Sequence, residues 1–353
     1  MIRYWKLLEA AIHPEDPFCC ASILHASSDH VPDLSGRAKR LLTRRIIYPA
    51  MVKLRTKGEI VHILDHSWAD LLPFVPKGAL KVVTVHDLIP LRFPGELTAA
   101  QAGRFRKWVG HLSQADAIIA DSAYTKQEVQ DLLGIDSRKI HVVLLGVEMP
   151  DETRPTRSWP EMPLRQDHGR QFRIGSIGST LERKNLSILP EALTRLQASI
   201  QRKVVLVRVG AALPTALAAE LKTALGDDGL VELGRLPDAA LGDYYAQLDA
   251  VVIPSLYEGF GLPVIEGMAA RVPVVASHCT SLPEVGGEVA FYFDPHSPEE
   301  LAAVLARIAT EGVPEQRINE GYERAKNLSW RKCLEGVYQV YDAALESRMM
   351  APR

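Results

Sequence analysis

The sequence predicts an α/β fold, two doubly wound Rossmann-like parallel-sheet domains in tandem. Three observations lead there. The chain has 353 residues, 47% of them apolar, more than one ordinary core requires. Short runs rich in Val and Ile, without strict alternation, recur between amphipathic stretches, as strands covered on both faces do. The stretch 148–171 interrupts this rhythm with four prolines and many charges, and the domain linker is placed there, at 151–171.

In the first domain, 1–150, the expected strands are 59–65, 81–87, 116–122 and 140–146. Between the last two, "AYTKQEVQDLLGI" has helical spacing and ends at Gly134, a C-cap residue, giving a βαβ unit. In the second, 172–328, strands are expected at 172–179, 203–210, 230–236, 249–255, 272–277 and 290–295, with helices such as "PEELAAVLARIA" between or after them. Residues 329–353 read as a C-terminal helix packing back on the first domain. A ligand is expected in the cleft facing the carboxyl ends of both sheets.

Composition narrows the function. With 41 basic and 43 acidic side chains the net charge is −2, which gives no bias toward nucleic acid. Cys19, Cys20, Cys279 and Cys333 lack metal-ligand spacing and form no disulfide framework, so a reducing cytoplasm is expected. The start has no signal-peptide pattern and no stretch approaches 18 apolar residues, so neither secretion nor a membrane span is expected.

The segment "SLYEGFGLPVIEGMAARVPVVAS", 255–277, sets Glu258 and Glu266 around a glycine loop beyond a strand end. Pro263 suits the first position of a helix, whose free N–H groups attract anions, phosphate above all. Gly259 and Gly261 let a ligand approach the main chain. The ordinary reading of these acids, a dipole partner and a surface loop residue, has equal weight on the residues alone. In "RIGSIGSTLERKNLSIL" a turn at Gly178 leads to Arg183 and Lys184 before a helix capped by Asn185 or Ser187. Two cations at a helix start oppose the macrodipole, which argues for an anion nearby, and charged hydrogen bonds to a diphosphate are worth about 1.5–3 kcal/mol each. His86 and Asp87 end an expected strand, and His62, Asp65 and His66 are similarly placed. For the last three a structural role weighs at least as much. Residues 35–58 hold eight basic and no acidic side chains among apolar ones. A solvated helix face competes there with reversible docking on anionic lipid at about 1 kcal/mol per cation.

"EGFGLPVIEGMA", "GSTLERKNL", "VHDLIP", "ADAIIADSAYT", "ASHCTSLPEVGG" and "SWRKCLEGVYQVYDAAL" resemble the retaining GT-B glycosyltransferases of family 4, also called glycosyl transferases group 1. The resemblance runs from about residue 60 onward and is densest over 172–300. It implies hexosyl transfer from a nucleotide diphosphate sugar to an acceptor hydroxyl with retention, by front-face attack in which the leaving phosphate takes the acceptor's proton. Glu266 would hold the ribose and Glu258 would face the donor sugar. Gly178 and the backbone N–H groups of Phe260, Gly261 and Leu262 would line the sugar and diphosphate. Arg183 and Lys184 would neutralise the leaving diphosphate, so that no metal or other cofactor is required, and Gly234, Arg235 and Leu236 would border the base. His86 would reach the donor sugar from the other domain, with Asp87, His62, Asp65 and His66 on the acceptor side.

"GSTLERKNL" is similar to mannosyl- and rhamnosyl-type members that build surface polysaccharides. The implied acceptor is lipid-linked or a polysaccharide, reached by a cytoplasmic enzyme with peripheral contact through residues 37–57. Two departures stand out: the chain reads as starting inside the family's first helix, without the first strand and glycine loop, and Arg271 stands where a glycine is usual. The first departure keeps open a non-catalytic nucleotide-sugar-binding remnant. A glycoside hydrolase would use two carboxylates but no diphosphate cradle, and no G-x-G-x-x-G supports a dinucleotide dehydrogenase.

Overall fold

The structure, a computed structural model, describes residues 2–13, 15–16, 42–55, 59–150 and 171–350. The expected linker lies outside them apart from Gln171, as do Cys19, Cys20 and the basic residues at 37, 39, 40 and 57. The chain divides into two compact units, Met1–Leu144 with Trp330–Arg353, and Leu145–Ser329.

The first unit is built on four parallel strands in spatial order β1-β2-β3-β4: β1 Ile60–Ile63, β2 Leu80–Val85, β3 Ala117–Ala120 and β4 Ile140–Val142. Its core gathers Val83 and Val85 of β2 and Ile118 and Ala120 of β3 with Leu72, Phe105, Val109 and Leu112 from the connecting helices. Full burial of each large aliphatic side chain is worth about 1.5–3 kcal/mol. Local signals fix the helices. Thr98 and Gln101 form a capping box at the start of Ala99–Val109. Ser122 accepts from the Thr125 N–H at the start of Ala123–Leu133, which ends on left-handed Gly134. The C-terminal helix Trp330–Met350 belongs to this unit and packs on Ile2–Ala11 and on β3. Arg331 ties these helices together through a two-pronged contact to Asp16 at 2.8 and 2.9 Å.

The second unit has six parallel strands in the order β10-β9-β8-β5-β6-β7, from β5 Gln171–Gly178, β6 Lys203–Gly210, β7 Leu230–Glu232, β8 Ala250–Ile253, β9 Val274–Ser277 and β10 Phe291–Phe293. Helices Leu189–Ser199, Thr215–Leu225 and Pro298–Glu311 supply Leu193, Leu196, Leu221, Leu301 and Leu305 to a core against Ile174, Leu206 and Val252. The chain enters and leaves this unit side by side. Val147 and Ser329 form a parallel bridge, and the Val147 N–H bonds the Leu328 carbonyl at 2.8 Å.

Candidate active site

In the second sheet the chain order reverses between β5 and β8, and open α/β sheets bind ligands outside the carboxyl ends of their strands at such a switch point. Here the two motifs singled out in the sequence meet. β5 ends at Gly178, the turn Glu182–Lys184 follows, and the loop after β8 returns against it with the Leu256 N–H on the Arg183 carbonyl at 2.8 Å. Lys184 Nζ lies 2.5 Å from Glu258 Oε1. Ser255 Oγ donates to that same oxygen at 2.6 Å. The Glu258 N–H is held by Thr280 Oγ1 at 3.2 Å, and the Ser281 hydroxyl bridges the carbonyls of Glu258 and Phe260 at 2.9 Å each. Glu258 is thus a nearly buried carboxylate whose charge is met by an ammonium group, the short charge-assisted geometry that fixes side chains best.

The helix Leu262–Ala269 starts one residue earlier than expected, with Leu262 first and Pro263 second. Its cap is Gly261, at φ +100, a backbone conformation that suits glycine. A Cβ there would stand 2.7 Å from Leu282 Cδ2. Among the described residues the N–H groups of Phe260, Gly261 and Leu262 donate to nothing, which leaves three donors available at a helix N-terminus. Glu266 is buried on this helix and accepts from the Tyr245 hydroxyl at 3.0 Å.

Gly178, Gly210 and Gly234 stand side by side at the ends of β5, β6 and β7, all with positive φ. The Gly210 N–H bonds the Gly234 carbonyl at 2.8 Å, and a Cβ on Gly210 would come within 2.0 Å of the Gly178 carbonyl oxygen. Arg235 is exposed and Leu236 half-buried beside them. The cap expected from Asn185 or Ser187 is not made. Asn185 takes a left-handed conformation, φ 51, its side chain donates to the Pro295 carbonyl at 2.7 Å, and the helix begins only at Leu189, without a side-chain cap.

His86, Asp87, His62, Asp65 and His66 belong to the first unit and form a separate group. His86 donates from Nδ1 to Asp121 Oδ2 at 2.7 Å and from Nε2 to the Leu64 carbonyl at 2.9 Å. Both partners only accept, so both ring nitrogens carry protons. Burial opposes that charge, but Asp121 and then Asp65 outweigh it and raise the His86 pKa to about 9. His62 is the reverse: it bridges the Tyr341 and Thr84 hydroxyls at 2.8 Å each, and burial together with the neighbouring His86 charge lowers it to about 3. His66 is buried and lowered for the same first reason, packing edge-on against Phe105. Asp65 and Asp87 cap their own turns through the N–H groups of Ser67 at 2.7 Å and Ile89 at 3.0 Å. With both N–H groups used inside the unit, the expected contact of His86 to a donor sugar would require one of these bonds to break.

Sequence reasoning missed Ser255, Tyr245, Gly210 and Asp121. Ser255 and Asp121 were readable as polar residues at strand ends. Tyr245 carries no local signal.

The structure resembles sucrose-phosphate synthase from Thermosynechococcus elongatus, with TM-score 0.68 and 19% identity over 89% of this chain and 81% of that one. It also resembles Anabaena HepE solved with UDP and glucose, with TM-score 0.65 and 18% identity over 85% and 81%. At such identities these likenesses speak for the fold, which is GT-B. In sequence, residues 20–149 match the model described as Glycosyltransferase Family 4, and residues 171–311 that described as Glycosyl transferases group 1. The chain belongs to the family 4 glycosyltransferases. It is 29% identical over 327 residues to the MMP alpha-(1->4)-mannosyltransferase of Mycolicibacterium hassiacum, covering 88% of this chain and 74% of the relative. Against the O-antigen chain mannosyltransferase B of Escherichia coli it is 39% identical over 110 residues, 31% of this chain and 29% of the relative. Against the D-inositol 3-phosphate glycosyltransferase of Thermobifida fusca it spans 58% of the relative.

Proposed function

We propose that this glycosyltransferase moves a hexosyl unit, mannosyl by analogy with the named relatives, from a nucleotide diphosphate donor to an acceptor hydroxyl with retention. The observation that carries the reading is the junction of Lys184 with Glu258 at 2.5 Å, beside the undonated N–H groups of Phe260, Gly261 and Leu262. Glycosyl transfer builds negative charge on the departing phosphate and positive charge on the sugar. Arg183, Lys184 and the three amides answer the first, and Glu258 the second. In this reading Glu266, steadied by Tyr245, binds the ribose, Gly178 borders the diphosphate, and Gly234, Arg235 and Leu236 border the base. The acceptor oxygen bonds to the anomeric carbon on the face the phosphate leaves, and the acceptor proton passes to that phosphate oxygen. The two cations take the charge that a metal ion carries in other transferases, so no metal is required. His86 enters as a cation held by Asp121, with Asp87, His62, Asp65 and His66 serving its surroundings more than the acceptor.

The proposed acceptor is lipid-linked or a polysaccharide, and the basic segment 37–57 is the proposed contact with the inner face of a membrane. Its described part exposes Ile46 (59%) and Leu54 (74%) beside Arg45 and Lys53. Arg44 is withdrawn from this face, stacked on Trp68 and Trp108 and paired with Asp70 at 2.9 Å. No described helix is long and apolar enough to cross a membrane. Sedimentation with anionic vesicles tests the contact, and binding indifferent to anionic lipid rejects it.

A thermal-shift panel of UDP, GDP, ADP and TDP sugars tests the donor. One of them at 100 times its dissociation constant should add about 2.7 kcal/mol, and no shift with any overturns the reading. The anomeric configuration of the product, read by NMR, tests retention.

A further inference from the structure

Strand β6, "KVVLVRVG", is apolar but for its lysine and Arg208, which is 1% exposed. A guanidinium there has lost its water and needs compensation. Among the described residues no carboxylate bonds to it: burial disfavours the charge, and Tyr244 and Glu232 favour it only through space. Arg208 Nη1 donates to Ser176 Oγ at 3.3 Å, and Nη2 donates to the carbonyls of Gly178 at 2.8 Å and Ser179 at 2.9 Å. Its Nε has no partner among the described residues. Glu232, its partner in register on β7, is exposed and accepts instead from the Leu213 N–H at 2.9 Å. Arginine cannot escape by deprotonation. The interior of the donor-side sheet therefore holds a positive charge whose hydrogen bonds all go to neutral oxygens.

Those dipoles belong to the turn that ends β5. In a trans peptide the C=O and N–H point in opposite directions. Tying the carbonyls of residues 178 and 179 down onto Arg208 turns the N–H groups of Ser179 and Thr180 away from it. Neither N–H finds an acceptor among the described residues. The Ser179 hydroxyl is also buried without a partner. Gly178, at φ +127, has its open side toward Lys184, whose Nζ would lie 3.7 Å from a Cβ placed there. Two amides, one hydroxyl and an ammonium thus surround one turn with a buried cation beneath it, the arrangement of an anion-binding nest.

We propose that Arg208 is a positioning residue: it locks the 178–180 turn into a nest in which the Ser179 and Thr180 N–H groups grip the donor's diphosphate, joined by the Ser179 hydroxyl once it turns out of its enclosed rotamer. This rests on the proposed donor site and adds to it a cradle that the acidic and basic motifs did not reveal. Arg208 touches no phosphate. It fixes the donors that do, and its charge sits where the ligand's two phosphates complete the compensation.

The test compares nucleoside diphosphates with their monophosphates, UDP with UMP and GDP with GMP, by calorimetry on the full chain. Wild type should bind one diphosphate at least tenfold more tightly than its monophosphate. Arg208→Met replaces the cation by an apolar side chain that such a strand accommodates, and should cut that ratio about tenfold with the monophosphate affinity changed less than threefold. Ser179→Ala, away from the sheet interior, should cut the ratio about threefold and serves if Arg208→Met does not fold. A wild type that binds mono- and diphosphates alike overturns the donor-site reading itself. A wild type with the preference, but variants that keep it or lose both ligands in proportion, overturns the role of Arg208 and of the nest while leaving that reading intact.

Discussion

Each unit places a buried ion pair just beyond a parallel strand, and the two pairs are wired in opposite senses. After β2 and β3 the cation is His86, held by Asp121 and with both N–H groups used. After β5 and β8 the anion is Glu258, held by Lys184 and Ser255, while five main-chain N–H groups of the loops after these strands, at Ser179, Thr180, Phe260, Gly261 and Leu262, donate to nothing among the described residues. In the first cluster the unpartnered atoms among the described residues include two carboxylate oxygens, Asp65 Oδ2 and Asp121 Oδ1; in the second they include these main-chain hydrogen-bond donors. A polar group left undonated near a surface is tolerated when a ligand or water completes it. In the proposed reading the donors of the second cluster hold the diphosphate of the sugar donor, while the bonds of His86 are made within its own unit.

Asp121→Asn should produce the largest effect. Removing one partner of a buried pair typically costs about 3–5 kcal/mol, read as a lowered thermal transition of the first unit, with nucleotide binding by the second unchanged. A loss under about 0.5 kcal/mol would mean the pair is screened and would break the comparison. Glu258→Gln comes next: turnover should fall about a hundredfold, as when one stabilising group is removed from a transition state, with the donor KM within about threefold. Unchanged turnover would remove Glu258 from the chemistry.

The pH dependence of the first unit is the third. His86 sits at about 9 when folded, above the ordinary value near 6.5. Its contribution is therefore complete below about pH 6.5 and is lost as pH rises through about 9. His62, near 3 when folded, contributes fully above about pH 6.5 and loses that contribution as pH falls toward 3. Stability of this unit should peak near pH 6.5, with the alkaline limb flattened in His86→Gln and the acid limb in His62→Gln. Melts across pH check both, and a variant with unaltered limbs contradicts the assignment.

The smallest effect concerns Arg271, held at φ +58 by Asn319 at 2.7 Å and a stack on Tyr322 at 3.8 Å. Arg271→Ala keeps the strained backbone and loses both contacts. It should be about 1 kcal/mol less stable than Arg271→Gly, which relieves the strain.

The alternation of the sheets was legible because parallel strands leave nearly uninterrupted Val and Ile runs. The expected strands overran at their carboxyl ends: 81–87 and 116–122 included His86, Asp87, Asp121 and Ser122, whereas the ladders stop at Val85 and Ala120. The chain leaves the ladder where its side chains begin to serve a site, so the polar residues at those ends were the signal of departure. Glu258 and Lys184 could be singled out from their glycine-rich surroundings, though not their pairing with each other. Arg208 could not, since one polar letter in an apolar strand says nothing of which carbonyls it will hold. The Asn185 cap failed because its backbone is left-handed rather than the extended form an N-cap takes, with its amide nitrogen turned to the Pro295 carbonyl.

The parallel bridge between Val147 and Ser329 has a consequence for how the molecule is made. Residues 145–329 form one uninterrupted segment, whereas the first unit needs the helix Trp330–Met350 to complete its packing. As the polypeptide emerges from the ribosome, domains fold as their segments become complete. The second unit can therefore mature first, while the first stays unfinished until the helix Trp330–Met350 has been translated.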